Sequence, residues 1–203
     1  PRSAFSLDDH GKLLYPPCQV PFSFMKKVLS TLPRHKAPGP DGLTFEMLAG
    51  ACPPKSQALE SLCQLTQLYI EGRMADASPS FLSAARLHAF IKRDSAGADA
   101  GIRPIAAGST LQRFFHIVLA RYYGPAIRAQ LVPVQFAVKT QDGTAALATV
   151  ARTAVASGRH VLSCDAMNAF NCVHRVALIR ATARYAPHLV GAVVTAYSRA
   201  SPL

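Results

Sequence analysis

The sequence predicts an α+β fold, rich in helix and with one small antiparallel sheet. Three observations point to it. Apolar residues recur at helical spacing through several stretches separated by Pro and Gly. Two short β-prone runs, 86–92 and 102–107, flank a turn that contains Gly97 and Gly101. No strand–helix–strand alternation is regular enough for a doubly wound parallel sheet.

The elements follow in order. Residues 1–20 carry little periodicity and include Pro16-Pro17, which reads as an extended lead-in. Pro21 opens a helix with Phe22, Met25, Val28, Leu29 and Leu32 on one face, and Pro33 ends it. A loop crowded with Pro and Gly spans 34–42. A short helix near 44–49 and a longer one near 56–71 come next, with Gly50 and Gly72 placed as carboxyl caps. After the two strands, Ser109 and Gln112 form a capping-box pattern ahead of Leu111, Phe114, Phe115, Val118, Leu119 and Tyr122. Gly124-Pro125 breaks that helix. Another is expected at 144–157, after Asp142-Gly143 and before Gly158. The run from His160 to Cys164 reads as a buried strand ending on Asp165, because Val161 and Leu162 favour extended, covered backbone. Helical patterns at 174–185 and 188–199 close the chain. These elements divide into the lead-in 1–20, a larger region 21–158 and a third region 159–203.

At 203 residues the chain is long enough for one substantial core or two small ones. Half its residues are hydrophobic and 16% are charged, a globular rather than disordered composition. Lys and Arg number 22 against 11 acids, giving a net charge of +11 and a pI near 9.9. That excess suits a polyanionic partner, since each basic side chain set on a phosphate releases counterions. No run of five or six basic residues exists, so the charge acts from a folded surface. The five cysteines are scattered and none forms a CxxC pair, which supports neither a zinc site nor a disulfide framework and fits a reducing, intracellular setting. No apolar run has the length of a membrane span, and no secretory leader pattern opens the chain. Pro1 stands where a Met would begin a protein, and the chain stops at Leu203 soon after a helical pattern. A piece of a longer protein is the expectation.

One position carries chemistry by its placement. A carboxylate at the end of a core strand, as expected of Asp165, is a natural Mg²⁺ ligand, because Mg²⁺ takes a few hard oxygens and leaves room for phosphates. By residue type alone, an Asp at a strand end is more often a turn or helix-cap residue. A Lys and an Arg on adjacent strands, as at Lys92 and Arg103, can pinch phosphate oxygens, the Arg in bidentate fashion. They also read as solvated surface charges.

The stretch Asp165-Ala-Met-Asn-Ala-Phe170 resembles the first catalytic motif of reverse transcriptases, especially those of non-LTR (LINE-type) retrotransposons. Four further segments fall in that family's order. Lys36-Ala-Pro-Gly-Pro-Asp-Gly42, followed by Phe45-Glu46, is similar to its K-x-P-G-P-D-G loop and next helix. Phe90-Ile-Lys92-Arg93-Asp94 and Arg103-Pro104-Ile105 are similar to its two finger strands. Gln135-Phe136-Ala137-Val138 resembles its Q-x-G-F segment. The resemblance spans roughly residues 34–175, most of the chain.

It implies the fingers and partial palm of a right-hand polymerase fold, from an RNA-directed DNA polymerase that adds dNTPs to a primer 3′-OH by two-metal phosphoryl transfer. The partners implied are an RNA template, a DNA primer and dNTP, with Mg²⁺ as cofactor and no membrane. The location implied is intracellular, nuclear in a eukaryotic host. Lys92, Arg93 and Arg103 are implied to hold the triphosphate, with Lys36 and Gln135 as weaker template contacts. Asp165 and the carbonyl of Ala166 are implied to bind the metal, and Phe170 to sit under the sugar and reject a 2′-OH.

The chain departs from the pattern at three places. Ile91 replaces a Pro usual before the finger Lys, which leaves Lys92 and Arg93 undistinguished. Ala137 replaces a Gly. Residues 166–203 contain no Asp or Glu, so the family's paired acids are missing and the chain alone is expected to be inactive. A non-catalytic nucleic-acid-binding remnant of a retroelement is the alternative.

Overall fold

The computed structural model describes residues 15–16, 18–74, 81–131, 134–137, 140–166 and 172–197. The fold is α+β, mostly helical, with one two-stranded antiparallel sheet among the described residues. In chain order the elements are α1 (Phe22–Ser30), α2 (Phe45–Ala51), α3 (Gln57–Ile70), β1 (Ala85–Arg93), β2 (Asp99–Gly108), α4 (Thr110–Tyr122), α5 (Gly124–Leu131), α6 (Gly143–Ala156), α7 (Arg175–Tyr185), a single 3₁₀ turn Pro187–Leu189, and α8 (Val190–Tyr197). They group into two compact units, one made of residues 1–122 with 175–203, the other of 123–174.

The larger unit holds the core. Met25, Val28 and Leu29 of α1, Leu59, Leu62, Cys63, Tyr69 and Ile70 of α3, Phe114, Phe115 and Val118 of α4, and Val190 of α8 are all buried. In α1, α3 and α4 these positions recur once per helical turn, so one face of each helix turns inward. The Tyr69 ring packs 4.7 Å from that of Phe115. Thr44 and Ser56 cap α2 and α3 by accepting from the amides of Met47 and Leu59. Gly72, at φ +75°, follows α3 as the left-handed residue beyond a helix end, whereas Gly50 lies inside α2. Helix α8 crosses the end of α3 closely. A Cβ on Gly191 would stand 2.7 Å from the Glu71 carbonyl, so only Gly permits this approach. Cys18 and Val20 are buried, which makes the end of the expected lead-in part of the core.

Strands β1 and β2 pair from Ala85↔Gly108 to Ile91↔Ile102, then shift register before Arg93↔Asp99. The turn is tighter than the sequence suggested. Asp94 closes it by accepting from the amides of Ala96 and Ala98, each at 2.9 Å.

The smaller unit buries little. Helix α5 fully buries none of its residues and α6 only Gly143. Gly124-Pro125 ends α4 as expected, yet the two residues also begin α5, consistent with Pro in a first helical turn. The strand expected over His160–Cys164 is not formed. Residues 159–166 adopt no regular structure, with Val161 51% and Leu162 86% exposed. A strand is stable only with a neighbour to complete its hydrogen bonds, and β1 and β2 form the only sheet among the described residues.

Candidate nucleotide-binding hairpin and catalytic segment

The β1–β2 hairpin carries most of the sequence-predicted basic site. Directly opposite residues of an antiparallel pair share a face, and alternate residues along a strand share it too. Phe90 stands opposite Arg103, and His88 opposite Ile105. The His88 and Phe90 rings lie 6.4 Å apart, as neighbours on one side. Lys92, two residues beyond Phe90, falls on this face as the diagonal neighbour of Arg103. The register shift leaves β1 in step here, since the extra residue belongs to β2. Arg93 takes the opposite face, with Ile91 and Ile102. The register thus separates the two basic residues that the sequence pattern left undistinguished. All three charges are exposed. The acids Asp94 and Asp99 sit at the turn end, away from Arg103.

The base of the hairpin is gripped by the 36–42 loop. One oxygen of Asp41, Oδ2, accepts from the Thr110 amide at 2.7 Å and from the Ser109 hydroxyl at 2.9 Å. The other, Oδ1, accepts from the Leu43 amide at 3.2 Å. The Thr110 hydroxyl donates back to the Leu43 carbonyl at 2.7 Å. A carboxylate at the start of α4 satisfies an unpaired helix amide and meets the positive end of the helix dipole. This replaces the capping box read from Ser109 and Gln112. Ser109 spends its hydroxyl on Asp41, and Gln112 reaches instead to the Tyr69 hydroxyl, 3.3 Å away. Gly39 is buried against the end of β2, where an added Cβ would come within 2.4 Å of the Gly108 carbonyl oxygen. Arg113 braces the loop from α4. Its Nη2 donates to the Ala37 carbonyl at 2.9 Å, and its guanidinium lies 4.9 Å from the Phe45 ring centre. Glu46 accepts from the His35 amide at 2.6 Å, and this bond holds its carboxyl below the usual range. Lys36, in the same loop, is exposed.

No family model, curated protein or solved structure matches the chain.

The other predicted residues lie in the smaller unit. Asp165 and Ala166 are exposed in the irregular segment 159–166, and Phe170 lies outside the described residues. Gln135 is half-buried, and its side-chain oxygen accepts from the Ala137 amide, closing a local turn. Among the described residues no group of three His, Cys, Asp or Glu side chains converges to hold a metal. Asp165 and the Ala166 carbonyl offer two hard oxygen donors. That set fits one Mg²⁺ completed by water and phosphate oxygens, not a two-ion centre. No helix among the described residues is long and apolar enough to cross a membrane.

Asp41, Gly39 and Arg113 are the residues whose roles the sequence alone did not assign. The signal for the first two was present, since the loop concentrates Pro, Gly and one acid just where a fixed turn needs them.

Proposed function

We propose that the chain is an amino-terminal part of an RNA-directed DNA polymerase of the non-LTR retroelement type, comprising fingers and the start of a palm. The reading rests on the order of five sequence segments. The observation that carries it furthest is the hairpin face on which Lys92 and Arg103 stand as diagonal neighbours. An ammonium and a planar guanidinium side by side on an exposed ribbon suit the oxygens of a nucleoside triphosphate, the guanidinium taking two at once. Asp165 and the Ala166 carbonyl would hold Mg²⁺, which neutralises charge developing on the transferred phosphoryl group. The primer 3′-OH would attack the α-phosphate in line. The further acids that such chemistry needs are not among residues 166–203.

Binding of a dNTP to the purified chain tests this reading. Arg103→Ala and Lys92→Ala each weaken binding more than Arg93→Ala does, because only the first two share a face. Equal losses from all three, or no binding by the unaltered chain, would count against the triphosphate site.

One observation favours the second reading, a non-catalytic nucleic-acid-binding remnant. Asp165 lies exposed in a segment without a strand, where no hydrogen bond from a described residue fixes the carboxylate. Primer extension on an RNA template by a longer chain that supplies further acids, abolished by Asp165→Asn, separates the two. Extension unaffected by that change removes Asp165 from the chemistry.

A further inference from the structure

Away from the proposed site, the larger unit holds one arrangement that bears on function without touching any ligand. The hairpin is a lever. β1 and β2 are exposed along most of their length, with Ala85, His88, Ala107 and Gly108 partly covered. Beyond strand pairing, backbone and side-chain contacts tie down the hairpin base. The Ser109 amide donates to the Ala84 carbonyl at 3.3 Å, Asp41 grips Ser109 and Thr110, and Gly39 packs on Gly108. Arg103 lies five residues out from Gly108, roughly 17 Å along an extended strand. A change in tilt of about 10° at the base would therefore move Arg103 by about 3 Å, more than the tolerance of a bidentate phosphate contact.

We infer that Asp41 is a positioning residue for the hairpin: by tying the end of β2 to the start of α4 it fixes where Lys92 and Arg103 present themselves, and so sets nucleotide affinity from a distance. This rests on the triphosphate reading of the hairpin. The physics is preorganisation. A ligand that must first order a swinging ribbon loses that ordering cost from its affinity. The carboxylate is suited to the task because a single oxygen takes both the last residue before the helix and its first amide, while its partner oxygen fixes the loop through Leu43. Arg113 reinforces the same joint from the helix side, through Ala37 and through the Thr110 hydroxyl at 2.8 Å.

The test compares dATP binding, with Mg²⁺, among the unaltered chain, Arg103→Ala, Asp41→Ala and Asp41→Asn. Measurements are made at a temperature where circular dichroism shows every variant fully folded. Asp41→Ala weakens binding about tenfold, the loss expected when two ordered side chains must be re-immobilised by the ligand. Asp41→Asn keeps one acceptor oxygen and recovers part of that loss. A purely structural role would lower thermal stability in Asp41→Ala and leave the affinity of the folded chain unchanged, and that result overturns the inference. Absence of any Arg103-dependent binding in the unaltered chain overturns instead the triphosphate reading on which the inference rests. The two failures are distinct, since the first requires intact dATP binding and the second shows none.

Discussion

Tyr69 is the most informative residue to perturb in the core. It is fully buried, and its hydroxyl lies 2.9 Å from Nε2 of His116 and 3.3 Å from Nε2 of Gln112. An amide nitrogen only donates, so Gln112 gives its proton to the Tyr69 oxygen, and the arrangement that pairs every group has the Tyr69 hydroxyl donate to His116. The imidazole is then neutral with its proton on Nδ1. Burial pushes the His116 pKa below its ordinary 6.5, in agreement with an accepting Nε2. Burial likewise pushes the Tyr69 phenol up to about 12. Tyr69→Phe keeps the ring against Phe115 but strands the His116 acceptor and one Gln112 donor. At about 1–3 kcal/mol for a fully buried group left unpaired, and less for His116 and Gln112, both half-buried, the loss is about 1–2 kcal/mol. For a unit of roughly 150 residues that corresponds to a fall of about 4 °C in Tm. His116→Leu strands the Tyr69 hydroxyl and costs a similar amount. The double variant removes both partners, so its loss falls short of the sum of the singles by about 1–2 kcal/mol. The pH dependence has a fixed sign. The unfolded chain protonates His116 near 6.5 and the folded chain only at lower pH, so this stabilisation is complete above 6.5 and declines as pH falls through the window beneath it. The slope reaches up to about 1.4 kcal/mol per pH unit and is missing in His116→Leu. Thermal denaturation of the four proteins between pH 5 and 8 reads both effects. Strictly additive losses, or an acid limb unchanged in His116→Leu, would refute the assigned network.

Two further outcomes follow from packing and charge. Gly39→Ala places a methyl 2.4 Å from a backbone oxygen that cannot swing aside, so it lowers stability by about 1–3 kcal/mol or more, and an unchanged Tm by calorimetry rules out the close approach. Binding of single-stranded RNA by the purified chain falls steeply as salt rises, because a net charge of +11 spread over the surface acts through released counterions; affinity that holds constant from low to moderate salt contradicts it.

What the sequence disclosed divides by the range of the interactions involved. The α1, α3, α4 and α6 helices were legible nearly to the residue, since apolar spacing and the Pro and Gly that bound it are decided within a turn or two. The hairpin was legible for the same reason, its turn being closed by Asp94 from within. Long-range choices were not. Ser109 and Gln112 form a sound capping-box pattern, yet Asp41, 68 residues before Ser109 in the chain, outcompetes it with an ionised acceptor. Composition at His160–Cys164 is that of a buried strand, but a strand is a property of a pair. Among the described residues no partner lies beside it, and Val161 and Leu162 remain in solvent. In the candidate site, the alternation of β1 needed the observed register before Lys92 and Arg93 could be told apart.

The Gly39–Asp41 joint also changes how much functional weight the 36–42 loop can bear. Its Gly is required where backbone meets backbone, and its Asp where a helix amide and a hydroxyl need one acceptor. Packing alone accounts for both. Any chain that hung an exposed hairpin from the start of a helix in this way would need the same residues, whatever the hairpin bound. The loop therefore argues for the architecture, and it argues for chemistry only through what it aims. The proposed chemistry would rest on different residues: on Lys92 and Arg103, which no packing demand explains because both stand in solvent, and on Asp165, whose carboxylate no described hydrogen bond employs.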